Sequence, residues 1–166
     1  MRREDSQIND WNDNIVVVTF DERYAADFAQ LSREWLESYF PLDDVDWAIW
    51  DRFPEAIMAG GGEIFFALLE SEVIGTCAVM RMGRGSFELG GLTVTEHMQG
   101  RGIRRRLLRA GIVWAHTEVA QTIGVVVKAA EVNVAVGLYE QFGFVRRPSE
   151  GKPWFTEGDV NMELIL

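Results

Sequence analysis

The residues best suited to chemistry cluster at one short turn. Gln99-Gly100-Arg101-Gly102-Ile103 joins a strand-like stretch ending at Val94 to a helix whose apolar positions begin at Ile103. Glycines at 100 and 102 let the backbone turn sharply and approach a ligand without Cβ obstruction, and the first turn of the helix points unpaired N–H groups at whatever lies before it. That is an anion site in outline. A Gly-x-Gly turn also serves merely to reverse a chain, so the arginines carry the argument further. Arg101, Arg104, Arg105 and Arg106 crowd a helix start, where the macrodipole disfavours each positive charge by about 0.3–1 kcal/mol. A phosphate-bearing ligand would offset that cost, and guanidinium matches phosphate geometry. The alternatives are a solvated basic face or a small nucleic-acid patch.

The elements that must hold this turn can be read around it. The chain has 166 residues, 48% of them hydrophobic, enough for one domain with a core over 14–166 behind a polar segment at 1–13. Ile15 to Phe20 reads as a strand, and Asp21 caps a helix with apolar Tyr24, Phe28, Leu31, Trp35 and Tyr39 at helical spacing. Pro41 stops it, and short helical turns broken at Pro54 follow. Ile64 to Leu69 is a continuous apolar run, as in a strand covered on both faces, and Val73 to Met80 forms a hairpin with it. Phe87 to Val94 is a third strand, and Gly90-Gly91 within it marks a bulge or a close backbone approach. Ile103, Leu107, Leu108, Ile112, Ala115 and Val119 trace one face of a long helix. A strand at 125–127, a helix over 134–142 and a closing strand at Val160 to Leu166 complete the chain.

Charge and cysteine content exclude several classes. Net charge is −10, which argues against nucleic acid or an anionic membrane as a general partner. Residues 1–80 carry 17 acidic and 5 basic side chains, whereas 81–166 carry 9 and 11, so the first half suits cations and the second contains the local anion site. An acidic solvated surface is the plainer alternative. No apolar run nears the roughly 18 residues of a membrane span, no signal-type stretch follows the first residues, and a cytoplasmic protein is expected. Cys77 is the only cysteine and lies in an apolar strand pattern, which makes it a core residue and excludes an intrachain disulfide. His97 and His116 have no ligand-like partners, and no metal is expected.

Leu92-Thr93-Val94, the turn at 99–103, Ala135 and Leu138-Tyr139-Glu140-Gln141-Phe142-Gly143-Phe144 together resemble the GCN5-related N-acetyltransferase (GNAT) family in order and spacing. The resemblance spans about residues 15–166, and the motifs at 88–108 and 133–144 carry its specificity. It implies an α/β (α+β) fold: one mixed, mostly antiparallel sheet flanked by helices, splayed beside the strand at 87–94, with acetyl-CoA in the gap as co-substrate. Backbone groups of Leu92 and Val94 would then hold the pantetheine arm and polarise the thioester, and amides across Gln99, Gly100, Arg101, Gly102, Ile103 and Arg104 the pyrophosphate. Two positions depart from the family pattern. Arg104 stands where the turn has glycine or alanine, and Val132 where an asparagine is common, so Asn133 either contacts the cofactor or caps the helix.

By the same resemblance, Tyr139 protonates the departing CoA sulfur, for which a phenol is matched to within about 2 pKa units. Glu88, on the strand that presents the thioester, is the candidate base. Turned to the cleft, its partial burial would favour the neutral form; exposure on a solvated sheet face is the alternative. The acceptor would meet Trp35, Tyr39, Phe40, Asp43, Asp44, Asp46, Trp47 and Trp50, with Trp154 and Phe155 as lids, a mixture of rings and carboxylates suited to an amine-bearing small molecule. The reading is direct acetyl transfer to a primary amine, with a non-catalytic acyl-CoA-sensing module of the same fold as the alternative. The sequence leaves a homodimer open.

Overall fold

The computed structural model describes residues 14–39, 53–149, 151–152, 155 and 157–166, and for 34–39 the backbone alone. Along the chain run β1 (Ile15–Thr19), α1 (Ala25–Tyr39), α2 (Phe53–Ala59), β2 (Glu63–Leu69), β3 (Glu72–Gly83), β4 (Ser86–Val94), α3 (Ile103–Thr117), β5 (Thr122–Val127), α4 (Val132–Gln141), β6 (Val145–Arg147) and β7 (Val160–Ile165). Single 3-10 turns precede α1, α3 and α4. The described strands form one sheet in the order β1-β2-β3-β4-β5-β7-β6. Every neighbouring pair is antiparallel except β4 with β5.

Strand β2 explains why the sheet has two cores. Its side chains alternate between faces, and both faces are covered. Phe65 and Ala67 pack with Leu107, Leu108 and Ala115 of α3, while Ile64 and Phe66 pack with Phe28 of α1 and Ile57 of α2. A strand with no solvated face reads as an unbroken apolar run, which is what the sequence shows. Asp21 caps the start of the α1 segment as expected, accepting from the Arg23 amide at 3.0 Å.

Several boundaries differ from the sequence reading, among them the start of β5 at Thr122 and of α4 at Val132. Pro54 lies in the first turn of α2 rather than breaking a helix, a position where its missing N–H is not needed. Strand β3 continues to Gly83 because Arg81 and Gly83 still pair with Phe87 and Ser86. Helix α3 ends at Thr117, and Val119 lies beyond it with φ 58° and 80% exposure, so it is not part of the apolar face. The short edge strand β6, paired with β7 through Val145, Arg146 and Arg147, has no alternating apolar pattern to betray it.

The expected splay is present. β4 and β5 pair only through Ser86 with Thr122, Phe87 with Ile123 and Glu88 with Gly124, and beyond those residues the two strands part. No described helix is long and apolar enough to cross a membrane.

Candidate active site

Two backbone irregularities shape the gap between β4 and β5. The β3–β4 register runs from Thr76 opposite Thr93 to Ala78 opposite Gly90, so Cys77 faces both Gly91 and Leu92. This is the bulge that Gly90-Gly91 announced, and Gly91 adopts φ 59°, a left-handed conformation that glycine accepts without strain. Cys77 beneath it is buried, and desolvation pushes its thiol up to about 12, as befits a core residue and not a nucleophile. The gap itself holds a cavity of about 420 Å³. Its walls are β4 from Glu88 to Leu92, β5 from Val125 to Val127, Leu138 and Tyr139 of α4, and Phe28 and Ser32 of α1.

The glycine turn sits at the open end of β4. The Gln99 side chain donates to the Val94 carbonyl at 3.1 Å and pins the turn to the strand, while the Gln99 amide donates to the Glu96 carbonyl at 3.3 Å and closes the preceding 3-10 turn. Gly100 and Gly102 follow with φ 78° and 77°, and a Cβ on either would meet nothing within 4 Å. Their requirement is therefore conformational, and the space before them is open to a ligand. Gly102 caps α3 without a side-chain bond, and the Arg106 amide bonds back to the Gly102 carbonyl at 3.2 Å. The preceding amides of Ile103, Arg104 and Arg105 belong to the first turn, where a helix offers donors without helical acceptors. The Ile103 side chain is core.

The arginines behave differently from the sequence argument. Arg104 turns aside to Glu131 at 3.4 Å, and Arg105 bonds the Gln141 side chain and stacks over the Phe142 ring. Protein groups, rather than a phosphate alone, thus offset part of the charge at this helix start, and the Arg104 guanidinium does not lie across the turn. Arg101 is exposed. Asn133 is exposed too, and it does not cap α4, whose cap position is Glu131. An asparagine two residues past the cap falls inside the first turn, where its side chain cannot take the cap's place.

Tyr139 is 5% exposed, lies edge-on against Phe144 with ring centroids 5.4 Å apart, and lines the cavity. Glu88 occupies the vertex of the splay, the last β4 residue paired with β5. It is 4% exposed and not on a solvated face. Lys152, from the segment between β6 and β7, reaches both of its carboxylate oxygens at 2.9 Å and the Asn161 side-chain oxygen at 2.8 Å. Asn161 in turn donates to the Pro148 carbonyl at 2.8 Å. Burial was expected to tilt Glu88 toward its neutral form; the fold also sets an ammonium within hydrogen-bond reach of both carboxylate oxygens. Gly124 makes the arrangement fit, since a Cβ there would stand 2.4 Å from Glu88 Oε2 and 2.9 Å from Lys152 Nζ.

Sequence reasoning missed Lys152, Asn161, Gly124 and Ser32. Asn161, between apolar Val160 and Met162 on the closing strand, was the one visible signal; a lysine in an irregular connection gives none. A second ion pair, Lys128 to Asp159 at 3.1 Å, is buried and ties the end of β5 to the start of β7, with Asp159 also accepting from the Ala129 amide. Trp35 and Tyr39 lie on α1 with side chains outside the described residues, as do Phe40, Asp43, Asp44, Asp46, Trp47, Trp50 and Trp154 altogether; Phe155 is half-buried. His97 and His116 are exposed, and no metal-type cluster exists among the described residues.

The fold has counterparts among known proteins. The family model of the acetyltransferase (GNAT) domain matches residues 60–146, over half of the chain. The chain belongs to the GNAT acetyltransferase family. It is an acyltransferase of a family that uses acetyl-CoA, and the open space before Gly100 and Gly102 and the apolar gap beyond it have room for such a molecule. No curated protein sequence matches the chain. Solved structures share its fold. The ribosomal-protein-alanine N-acetyltransferase of Brucella melitensis is 20% identical over 91% of this chain and 99% of its own, with a TM-score of 0.74. A Salmonella typhimurium structure with acetyl-CoA as its cofactor is 19% identical over 92% and 94%, TM-score 0.74. A spermidine N-acetyltransferase chimera from Vibrio cholerae is 18% identical over 92% and 95%, TM-score 0.70.

Proposed function

We propose that this GNAT enzyme transfers the acetyl group directly to a primary amine of a small molecule, with Glu88 receiving the amine and Tyr139 serving the leaving thiol. The observation that carries this is buried Glu88 at the vertex of the splay, paired with Lys152 and on the wall of an otherwise largely apolar cavity. Gly100, Gly102 and the first amides of α3 would hold the pyrophosphate, and the backbone at Leu92 and Val94 the pantetheine arm. The donor then brings an acetyl thioester to the bulge of β4.

An amine attacks only when neutral. Glu88 meets the acceptor as its neutral amine and takes the one proton that the nitrogen loses as the N–C bond forms. Lys152 contributes twice: it holds the carboxylate in one orientation, and its positive charge next to the arriving nitrogen disfavours that nitrogen's protonated form. Tyr139 supplies the proton that the sulfur gains as the C–S bond breaks. One proton is taken and one given, so no covalent enzyme intermediate is needed. A small acceptor is supported by the enclosed, aromatic-walled approach past Phe28 and Phe53 and by the excess of acid in residues 1–80. The spermidine enzyme of like fold uses an acceptor of this class.

The test is thiol release from acetyl-CoA across a panel of polyamines, amino acids and peptides. Release with small primary amines, falling by about 10²-fold or more in Glu88→Gln, is expected. Release with peptides alone, or an unchanged Glu88→Gln rate at every pH, would sink the proposal.

A further inference from the structure

Ser32 presents a polar group that the fold leaves without a use. It lies on α1, is 0% exposed, and its hydroxyl has no hydrogen-bond partner among the described residues. A serine inside a helix ordinarily turns its hydroxyl to solvent or back to the carbonyl four residues earlier, and Ser32 does neither. An unpartnered buried hydroxyl costs free energy, so one that persists calls for an explanation in function or in a bound group. Two other buried hydroxyls share the condition, on Thr93 and Thr95, but neither lines the cavity; Ser32 does.

Its surroundings define the partner. Ser32 Oγ stands 3.6 Å from the position that a Cβ on Gly91 would occupy, and Gly91 is the left-handed residue of the β4 bulge. Phe28 Cε2 stands equally near that position, so a ring edge and the hydroxyl together face the bulged backbone. The remaining neighbours on this wall, Phe28 and Phe53, are apolar. The acceptor nitrogen already has an anionic partner in Glu88. The acetyl oxygen, by contrast, is the atom that gains negative charge as the carbonyl is attacked, and no charged group of the chain has been assigned to it.

We propose that Ser32 donates its hydroxyl hydrogen to the acetyl oxygen of the thioester, as a side-chain partner to the backbone of the β4 bulge in stabilising that charge. The inference rests on the acetyl-CoA reading and adds a catalytic residue to it. It predicts an unusual pairing of effects: removing the hydroxyl relieves an unpartnered group in the free protein and removes a donor in the reaction.

The experiment compares wild type, Ser32→Ala and Ser32→Cys by thermal unfolding of the free protein, by calorimetry with acetyl-CoA and with CoA, and by kcat for an accepted amine. Ser32→Ala is expected to melt no lower than wild type. Its CoA affinity should stay within twofold, its acetyl-CoA affinity should fall about fivefold as for one lost neutral hydrogen bond, and its kcat should fall about 10²-fold. Ser32→Cys, a poor donor of similar shape, should behave like Ser32→Ala. Equal loss of both affinities, or a raised KM for the amine alone, would overturn the role given to Ser32 while leaving the acetyl-CoA site standing. Failure of the wild type to bind either molecule would overturn that site and this inference together.

Discussion

Gly124→Ala is the sharpest test of the vertex, because one methyl group is aimed at two charged atoms. Its Cβ would lie 2.4 Å from Glu88 Oε2, against an ordinary contact of 3.4 Å, so the carboxylate must withdraw by about 1 Å. Lys152 cannot follow freely while Glu88 holds it, since its Nζ would itself be 2.9 Å from the new carbon. Overpacking of this kind costs about 1–3 kcal/mol, and the low end applies because both atoms end flexible side chains. For a chain of this size that is about 2–4 °C of Tm per kcal/mol. A displacement of about 1 Å in a reacting group costs about 10²-fold in rate, so kcat/KM should fall far more than stability does. Thermal unfolding and thiol release measure the two. A double-mutant cycle supplies the control: in a Glu88→Ala background the carboxylate contact is gone and Lys152, released from it, can swing away from the methyl group, so Gly124→Ala should then cost almost nothing in either assay. Full activity of Gly124→Ala, or the same loss in both backgrounds, would refute the claim that this glycine exists to seat the Glu88–Lys152 pair.

Three further outcomes follow from the same structure. Tyr139→Phe keeps the ring against Phe144 but removes the proton donor, so kcat should fall by about 10²-fold or more in the release assay, and an unchanged kcat would return Tyr139 to a packing role. Calorimetry with CoA should rank Gly102→Ala well below Arg104→Ala: the first forces a left-handed Cβ, costing about 1–2 kcal/mol, into the open cradle. The second removes a partly exposed pair to Glu131, worth about 0–1 kcal/mol, and the reverse ranking would place the Arg104 guanidinium on the phosphate. The Cys77 thiol, pushed up to about 12, stays protonated in the fold above pH 9 while an unfolded thiol ionises. Its stabilising effect is therefore complete below about pH 9 and is lost as pH rises toward 12, at about 1.4 kcal/mol per unit, a slope that Cys77→Ala should remove from the unfolding curve.

What the sequence revealed depended on whether the physics was local. Strand β2 was legible because two covered faces leave an unbroken apolar run, and the bulge because Gly90-Gly91 interrupts a strand that otherwise packs through side chains. The start of α3 was legible from glycine spacing. Crowded arginines at a helix start are a weaker local signal: Arg104 and Arg105 find Glu131 and Gln141, residues 27 and 36 positions away, and no local rule anticipates them. Lys152 was illegible for the same reason. Its meaning arises only when β7 pairs with β5 and brings Asn161, with the segment before it, beside a glutamate 64 residues away in sequence.

The parting of β4 from β5 joins the backbone chemistry to the side-chain chemistry. Once the ladder ends at Glu88 and Gly124, the gap-side backbone of Leu89 to Val94 has no β5 partner, and an open strand edge of this kind invites another extended, amide-bearing chain. A pantetheine arm carries such amides. The same parting leaves room beside Gly124, on the face away from α3, for a carboxylate and an ammonium that a continued ladder with ordinary side chains would exclude. An extra hydrogen-bonded pair between the two strands would therefore close the edge proposed for the arm and crowd the proposed base at once, so the proposal ties donor binding to the placement of Glu88 through a single feature of the sheet.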